Sequence, residues 1–189
     1  MQNELDIVRD ISQRLDGAEI DYMLTGSTAM NYYAEPRMTR DIDLVVALES
    51  NDAQRIVQLF NMDYYVSYEA VRSSITHRSL FNLIHSQSVI KVDCIVRKQT
   101  SFRLTEFERR ERVRFGDFET WIVSKEDLIL SKLLWAKDSH SEYQLRDVKN
   151  LVATGFDANY IWTLSTADYG LLEGGPMNEL GESHPALDE

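Results

Sequence analysis

Asp41-Ile42-Asp43-Leu44-Val45-Val46 constrains the fold of this chain more than any other stretch. Side chains alternate across a strand, so Asp41 and Asp43 point one way while Ile42 and Leu44 point into the opposite layer. The stretch therefore predicts a strand with one apolar face and one face carrying two carboxylates, a pair able to clamp a divalent metal. Thirteen residues separate it from Gly26-Ser27, which follows the apolar Tyr22-Met23-Leu24. Where such a strand gives way to a helix near Thr28, free backbone N–H groups and the Ser27 hydroxyl can hold phosphate oxygens. Either signal alone has a commonplace reading, a chance Gly-Ser or a solvated strand end. Together they ask for a third acid on a neighbouring strand. Residues 89–96 supply one, because Ile90, Val92, Cys94 and Val96 alternate with Lys91 and Asp93.

These three segments carry a resemblance. Leu24-Thr25-Gly26-Ser27, Arg37-Met38-Thr39-Arg40-Asp41-Ile42-Asp43-Leu44 and Lys91-Val92-Asp93 resemble the nucleotidyltransferase superfamily, in particular its minimal nucleotidyltransferase and AbiEii-toxin-like branch. Ser124-Lys125-Glu126-Asp127-Leu128-Ile129-Leu130-Ser131-Lys132-Leu133 and Arg146-Asp147-Val148-Lys149-Asn150-Leu151 are similar to the helices that follow in that branch. The likeness spans residues 18 to 153. It implies an α+β fold, with a mixed β-sheet core, packing helices and a C-terminal helical segment. The expected division is a nucleotidyltransferase core over 1–123, a helical segment packed on it over 124–169 and a mobile acidic tail over 170–189.

The resemblance also implies a reaction: transfer of a nucleoside monophosphate from a nucleoside triphosphate to an acceptor hydroxyl, with release of pyrophosphate. Asp41 and Asp43 would bind two Mg2+ ions; Asp93 would share the second and take the acceptor's proton. Gly26 would let the backbone approach phosphate, Ser27 would donate to it and Lys132 would neutralise triphosphate charge. The acceptor stays open between an antibiotic-like small molecule and a target in a toxin–antitoxin pair, whose partner protein would be a further ligand.

Composition narrows the field. A net charge of -11 disfavours extended nucleic-acid binding, which draws its affinity from many Lys/Arg contacts to phosphate. Arg97-Lys98 with Arg103, Arg109, Arg110, Arg112 and Arg114 form a basic concentration, but Glu106, Glu108 and Glu111 are interspersed, as on a solvated face of mixed-sign pairs. The sequence lacks the eighteen or so consecutive apolar residues of a membrane span and has no secretory start, so a cytoplasmic location is expected. Cys94, the single cysteine, falls on the apolar side of its strand and reads as a small buried residue. Four scattered histidines give no zinc spacing.

Periodicity places helices over 3–16, 27–34, 51–60, 102–110, 124–137, 143–153 and 157–167, and one or two helical turns within 69–75. Strands are expected over 20–25, 40–48 and 64–66, and hairpins over 79–96 and 112–123. If the first two long strands run antiparallel, Gly26 and the paired acids meet. In the helix starting near Ser124, Leu128, Ile129, Leu133, Leu134 and Trp135 form the expected core stripe, and Asp147 reads as an ion-pair partner.

Three other readings fit parts of the pattern. Asp41-Ile42-Asp43-Leu44-Val45 matches the nucleophile motif of haloacid-dehalogenase-type phosphatases, although there the apolar strand precedes the acids and here it follows them. A glycosyltransferase would use an Asp-x-Asp with a metal and a nucleotide sugar, in a longer chain. A noncatalytic nucleotidyltransferase-fold binding module would keep the fold and lose the chemistry.

Overall fold

The period-two segments pair into one mixed sheet. In the computed structural model, which describes residues 3–36 and 41–166, its seven strands are β1 (Tyr22–Leu24), β2 (Asp41–Val46), β3 (Tyr64–Tyr65), β4 (Leu80–His85), β5 (Lys91–Val96), β6 (Glu111–Phe115) and β7 (Phe118–Ile122). Their spatial order is β3-β4-β5-β2-β1-β7-β6. The helices are α1 (Glu4–Gly17), α2 (Gly26–Tyr33), α3 (Asp52–Phe60), α4 (Tyr68–His77), α5 (Ser101–Glu108), α6 (Lys125–Ser139), α7 (Glu142–Ala153) and α8 (Ala158–Thr166). The chain divides into two units, Met1–Ser124 with the sheet and Lys125–Glu189 with α6 to α8. The expected acidic tail over 170–189, and Arg40 at the expected start of the second strand, lie outside the described residues.

In the sheet unit, alternation sorts the layers. Ile42, Leu44 and Val46 of β2 and Val92, Cys94 and Val96 of β5 are buried, whereas Asp41, Asp43, Lys91 and Asp93 are half-buried on the other face. Burying each aliphatic side chain contributes about 1.5–3 kcal/mol. Tyr22, in register with Val46 on the apolar side, brings its hydroxyl 3.3 Å from Thr120 of β7, and Thr120 bonds Ser12 of α1 at 2.8 Å. Helix α1 thus covers the apolar face, burying Ile7, Val8, Ile11 and Leu15, the stripe its sequence predicts. A capping box between Asn3 and Asp6 satisfies the first free N–H groups of α1.

Connections set strand direction. β1 and β2 run antiparallel with Leu24 opposite Leu44, while β2 and β5 run parallel. The two expected hairpins form as β4–β5 and β6–β7. The expected one or two turns within 69–75 are a ten-residue helix, α4. The Ser67 side chain caps its start by accepting from the Ala70 N–H, Val71 and Ile75 bury its inner face, and Arg78 in the left-handed region stops it.

In the helical unit, Leu128, Ile129, Leu133 and Ala136 of α6 are buried, but Trp135 is 57% exposed. That corrects the expected stripe: at 100° per residue, Trp135 falls beside the buried arc that Ala136 continues. Among the described residues no helix is long and apolar enough to cross a membrane.

Candidate active site

Three acids share the half-buried face of two adjacent strands. Asp41 and Asp43 lie two residues apart on β2, and the parallel register sets Asp43 opposite Asp93 and Asp41 opposite Lys91. Neighbouring strands are about 4.8 Å apart, so laterally paired side chains on one face touch. The Lys91 ammonium lies 3.1 Å from Asp93 Oδ2 and 3.5 Å from Asp41 Oδ1. The hydrogen bond to Asp93, aided by the charges of Asp93 and Asp41, holds the Lys91 pKa above the ordinary lysine range. The Asn82 side-chain amide of β4, a strand whose register also pairs Asn82 with Asp93, donates to Asp93 Oδ1.

Gly26 and Ser27 join this group because β1 is antiparallel to β2. The Thr25 N–H donates to the Asp43 carbonyl at 3.0 Å, which extends the ladder by one bond and delivers Gly26 to the Asp43 side chain. Gly26 adopts φ +58°, in the left-handed region, and opens α2. A Cβ placed on it would stand 2.1 Å from Asp43 Oδ2 and 2.8 Å from Asp43 Cβ, so only glycine fits here. The Ser27 N–H donates to Asp43 Oδ2 at 3.2 Å. A backbone donor of the proposed phosphate cradle thus already faces an anionic oxygen.

Lys132, the remaining residue singled out in the sequence, belongs to the helical unit. It is buried, its ammonium 2.8 Å from Asp147 Oδ2 and 3.2 Å from Gln144 Oε1, so Asp147 is an ion-pair partner, as its sequence context suggested. Removing one member of a buried pair strands the other charge. Lys132→Met is expected to lower unfolding free energy by about 3 kcal/mol, read in a urea titration; a loss below about 0.5 kcal/mol would contradict the pair's structural weight.

The donor set suits a hard divalent cation: carboxylate oxygens, adjacent on one face, already coordinating a positive group. As the side chains stand, however, no three His, Cys, Asp or Glu groups among the described residues are arranged to hold a metal. The cation between Asp41 and Asp93 is the Lys91 ammonium. Sequence reasoning set Lys91 on the acidic face without a role and passed over Asn82. The signal for Asn82 was a polar residue between the buried Phe81 and Leu83. Cys94 is fully buried on the opposite face, where burial pushes its thiol pKa up, as expected for an inert residue.

Comparison with known proteins bears on the family and the fold. A family model described as "Nucleotidyl transferase AbiEii toxin, Type IV TA system" matches residues 9–168. Among solved structures, an antigenic nucleotidyltransferase-like protein from Paracoccidioides brasiliensis superposes with a TM-score of 0.55 at 20% identity, covering 80% of this chain and 75% of its own. The antibiotic-resistance protein ANT(2")-Ia, solved in complex with adenylyl-2"-tobramycin, gives a TM-score of 0.57 at 13% identity, covering 86% of this chain and 95% of its own. Lincosamide antibiotic adenylyltransferase LnuA, solved with lincomycin bound, gives 0.50 at 17% identity, covering 80% and 96%. At these identities the likeness establishes the fold. No curated protein matches the chain by sequence.

Proposed function

The chain belongs to the AbiEii nucleotidyl transferase family, and from that premise we propose that it transfers a nucleoside monophosphate from a nucleoside triphosphate to an acceptor hydroxyl, using Mg2+ held by Asp41, Asp43 and Asp93. The observation that carries the reading is the register pairing of Asp43 with Asp93, with Gly26 pressed against Asp43. A tight strand-to-helix turn beside three carboxylates is an arrangement that can seat a triphosphate and its counter-ions together.

When bound, Mg2+ supplies charge neutralisation to the phosphate oxygens and acidity to the acceptor hydroxyl. The protein's own contribution is positioning. Asp41 and Asp43 would fix the cation side of the site, and the Ser27 hydroxyl, at the turn that Gly26 permits, would donate to phosphate oxygens. Asn82 anchors Asp93 Oδ1 and so orients the carboxylate proposed to take the proton of the acceptor hydroxyl. The bond from acceptor oxygen to α-phosphorus forms, the bond to the bridging oxygen breaks, and pyrophosphate leaves.

The antibiotic adenylyltransferases among the structural neighbours suggest a small-molecule hydroxyl as acceptor, and the family's toxin description suggests a target and a partner antitoxin. Incubation with each α-labelled triphosphate, Mg2+ and cell lysate is expected to move label onto one lysate fraction. Label that stays in triphosphate under every condition would reject transfer. The second reading, a noncatalytic module, is favoured by the ammonium seated among the carboxylates; it predicts negligible triphosphate binding with or without Mg2+.

A further inference from the structure

An ammonium that bridges two carboxylates on a half-exposed sheet face adds little to stability. Exposed ion pairs contribute about 0–1 kcal/mol, and the Lys91 side chain is 39% exposed. Its position has a larger effect on anything else that would sit there. Asp41 and Asp93 each direct an oxygen to Lys91, and Asp43 directs one to the Ser27 N–H. The acids of the proposed metal site are therefore satisfied from within the chain, and a cation entering between Asp41 and Asp93 meets a resident positive charge.

We propose that Lys91 is an internal competitor of the divalent cation: its ammonium holds the site between Asp41 and Asp93, the metal binds by displacing it, and Lys91 thereby sets the metal affinity. The inference rests on the metal-dependent reading given above. Two physical points support it. A monovalent charge a few ångströms from a divalent ion weakens its binding roughly tenfold to thirtyfold even in a water-like dielectric. The strand geometry also gives Lys91 no other face, because Val92 and Cys94 fix β5 with its odd-numbered residues turned to the carboxylates. Displacement carries the ammonium away from carboxylate oxygens and leaves those oxygens to the metal. Atoms and charges balance without any covalent step.

The test is Mn2+ binding to the full chain, read as loss of the free-ion paramagnetic resonance signal at constant ionic strength. Lys91→Met is expected to bind Mn2+ about tenfold more tightly than the unmodified protein, and Lys91→Arg, which keeps the charge, to bind within about threefold of it. A Lys91→Met variant that binds equally or more weakly, while the unmodified protein binds, overturns the proposal and leaves the metal site standing. Binding by none of the three overturns the metal reading itself, and with it this inference. Should Lys91→Met fail to fold, amine acylation of the unmodified protein, quantified at Lys91 by peptide mass spectrometry, gives a second readout. Saturating Mn2+ is expected to raise the Lys91 labelling rate severalfold, and an unchanged rate overturns the proposal.

Discussion

Asp43→Asn is expected to lower the rate of nucleoside monophosphate transfer by three orders of magnitude or more, about 4 kcal/mol of barrier, with the fold intact. Asparagine keeps the shape of the side chain, and its carbonyl oxygen can still accept from the Ser27 N–H. What disappears is a negative charge from a face that already carries Asp41 and Asp93. Fewer like charges side by side leave the melting temperature unchanged or slightly raised. Turnover with a labelled triphosphate, measured beside a thermal melt, reads both effects; turnover within tenfold of the unmodified protein would remove Asp43 from the chemistry.

Gly26→Ala attacks the same site from the backbone. Its Cβ would lie 2.1 Å from Asp43 Oδ2, 2.6 Å from Cγ and 2.8 Å from Cβ. Rotating the carboxylate can clear the first two contacts but not the third, which is tied to the strand. A side chain at φ +58° adds about 1–2 kcal/mol of backbone strain. Thr25 and Asp43 must then part, and the turn moves away from the carboxylates. Since a misplacement of about 1 Å costs around a hundredfold in rate, activity is expected to fall by two to three orders of magnitude, with unfolding free energy lowered by about 2 kcal/mol. Urea titration and turnover on one preparation test both, and an alanine variant with full activity would show that the close approach is incidental.

The legible part of this molecule was whatever alternates. Ile42, Leu44, Val92 and Cys94 announce their strands because a sheet with one buried face must repeat with period two, and the same rule exposed Asp41, Asp43 and Asp93. The sequence also offered antiparallel β1 and β2 as the way to join Gly26 to the acids, and the strands run so. Register was another matter. Whether Asp93 falls opposite Asp43 or opposite Asp41 depends on how β5 slides along a parallel partner, and the 44 residues between β2 and β5 contain no local signal for it. The partners were hidden for the same reason: Asn82 reaches Asp93 only through the β4–β5 register, and the Lys91 ammonium, beside Asp93 on its own strand, reaches Asp41 only through the β2–β5 register. Helix α4 was underread because its ends are fixed by single residues, a Ser67 side-chain bond and a left-handed Arg78, rather than by a long apolar stripe. Trp135 was misplaced because an apolar residue at the margin of a helix stripe carries no mark of which way it turns.

Calorimetric titration of the protein with a nonhydrolysable triphosphate, with and without Mg2+, decides whether the carboxylate face of β2 and β5 is a cation-dependent triphosphate site. Binding is expected with Mg2+ and little without it, and the Mg2+-dependent heat is expected to be lost in Asp43→Asn. Equal heats with and without the ion, or an Asp43→Asn protein that binds as the unmodified one does, would contradict that role.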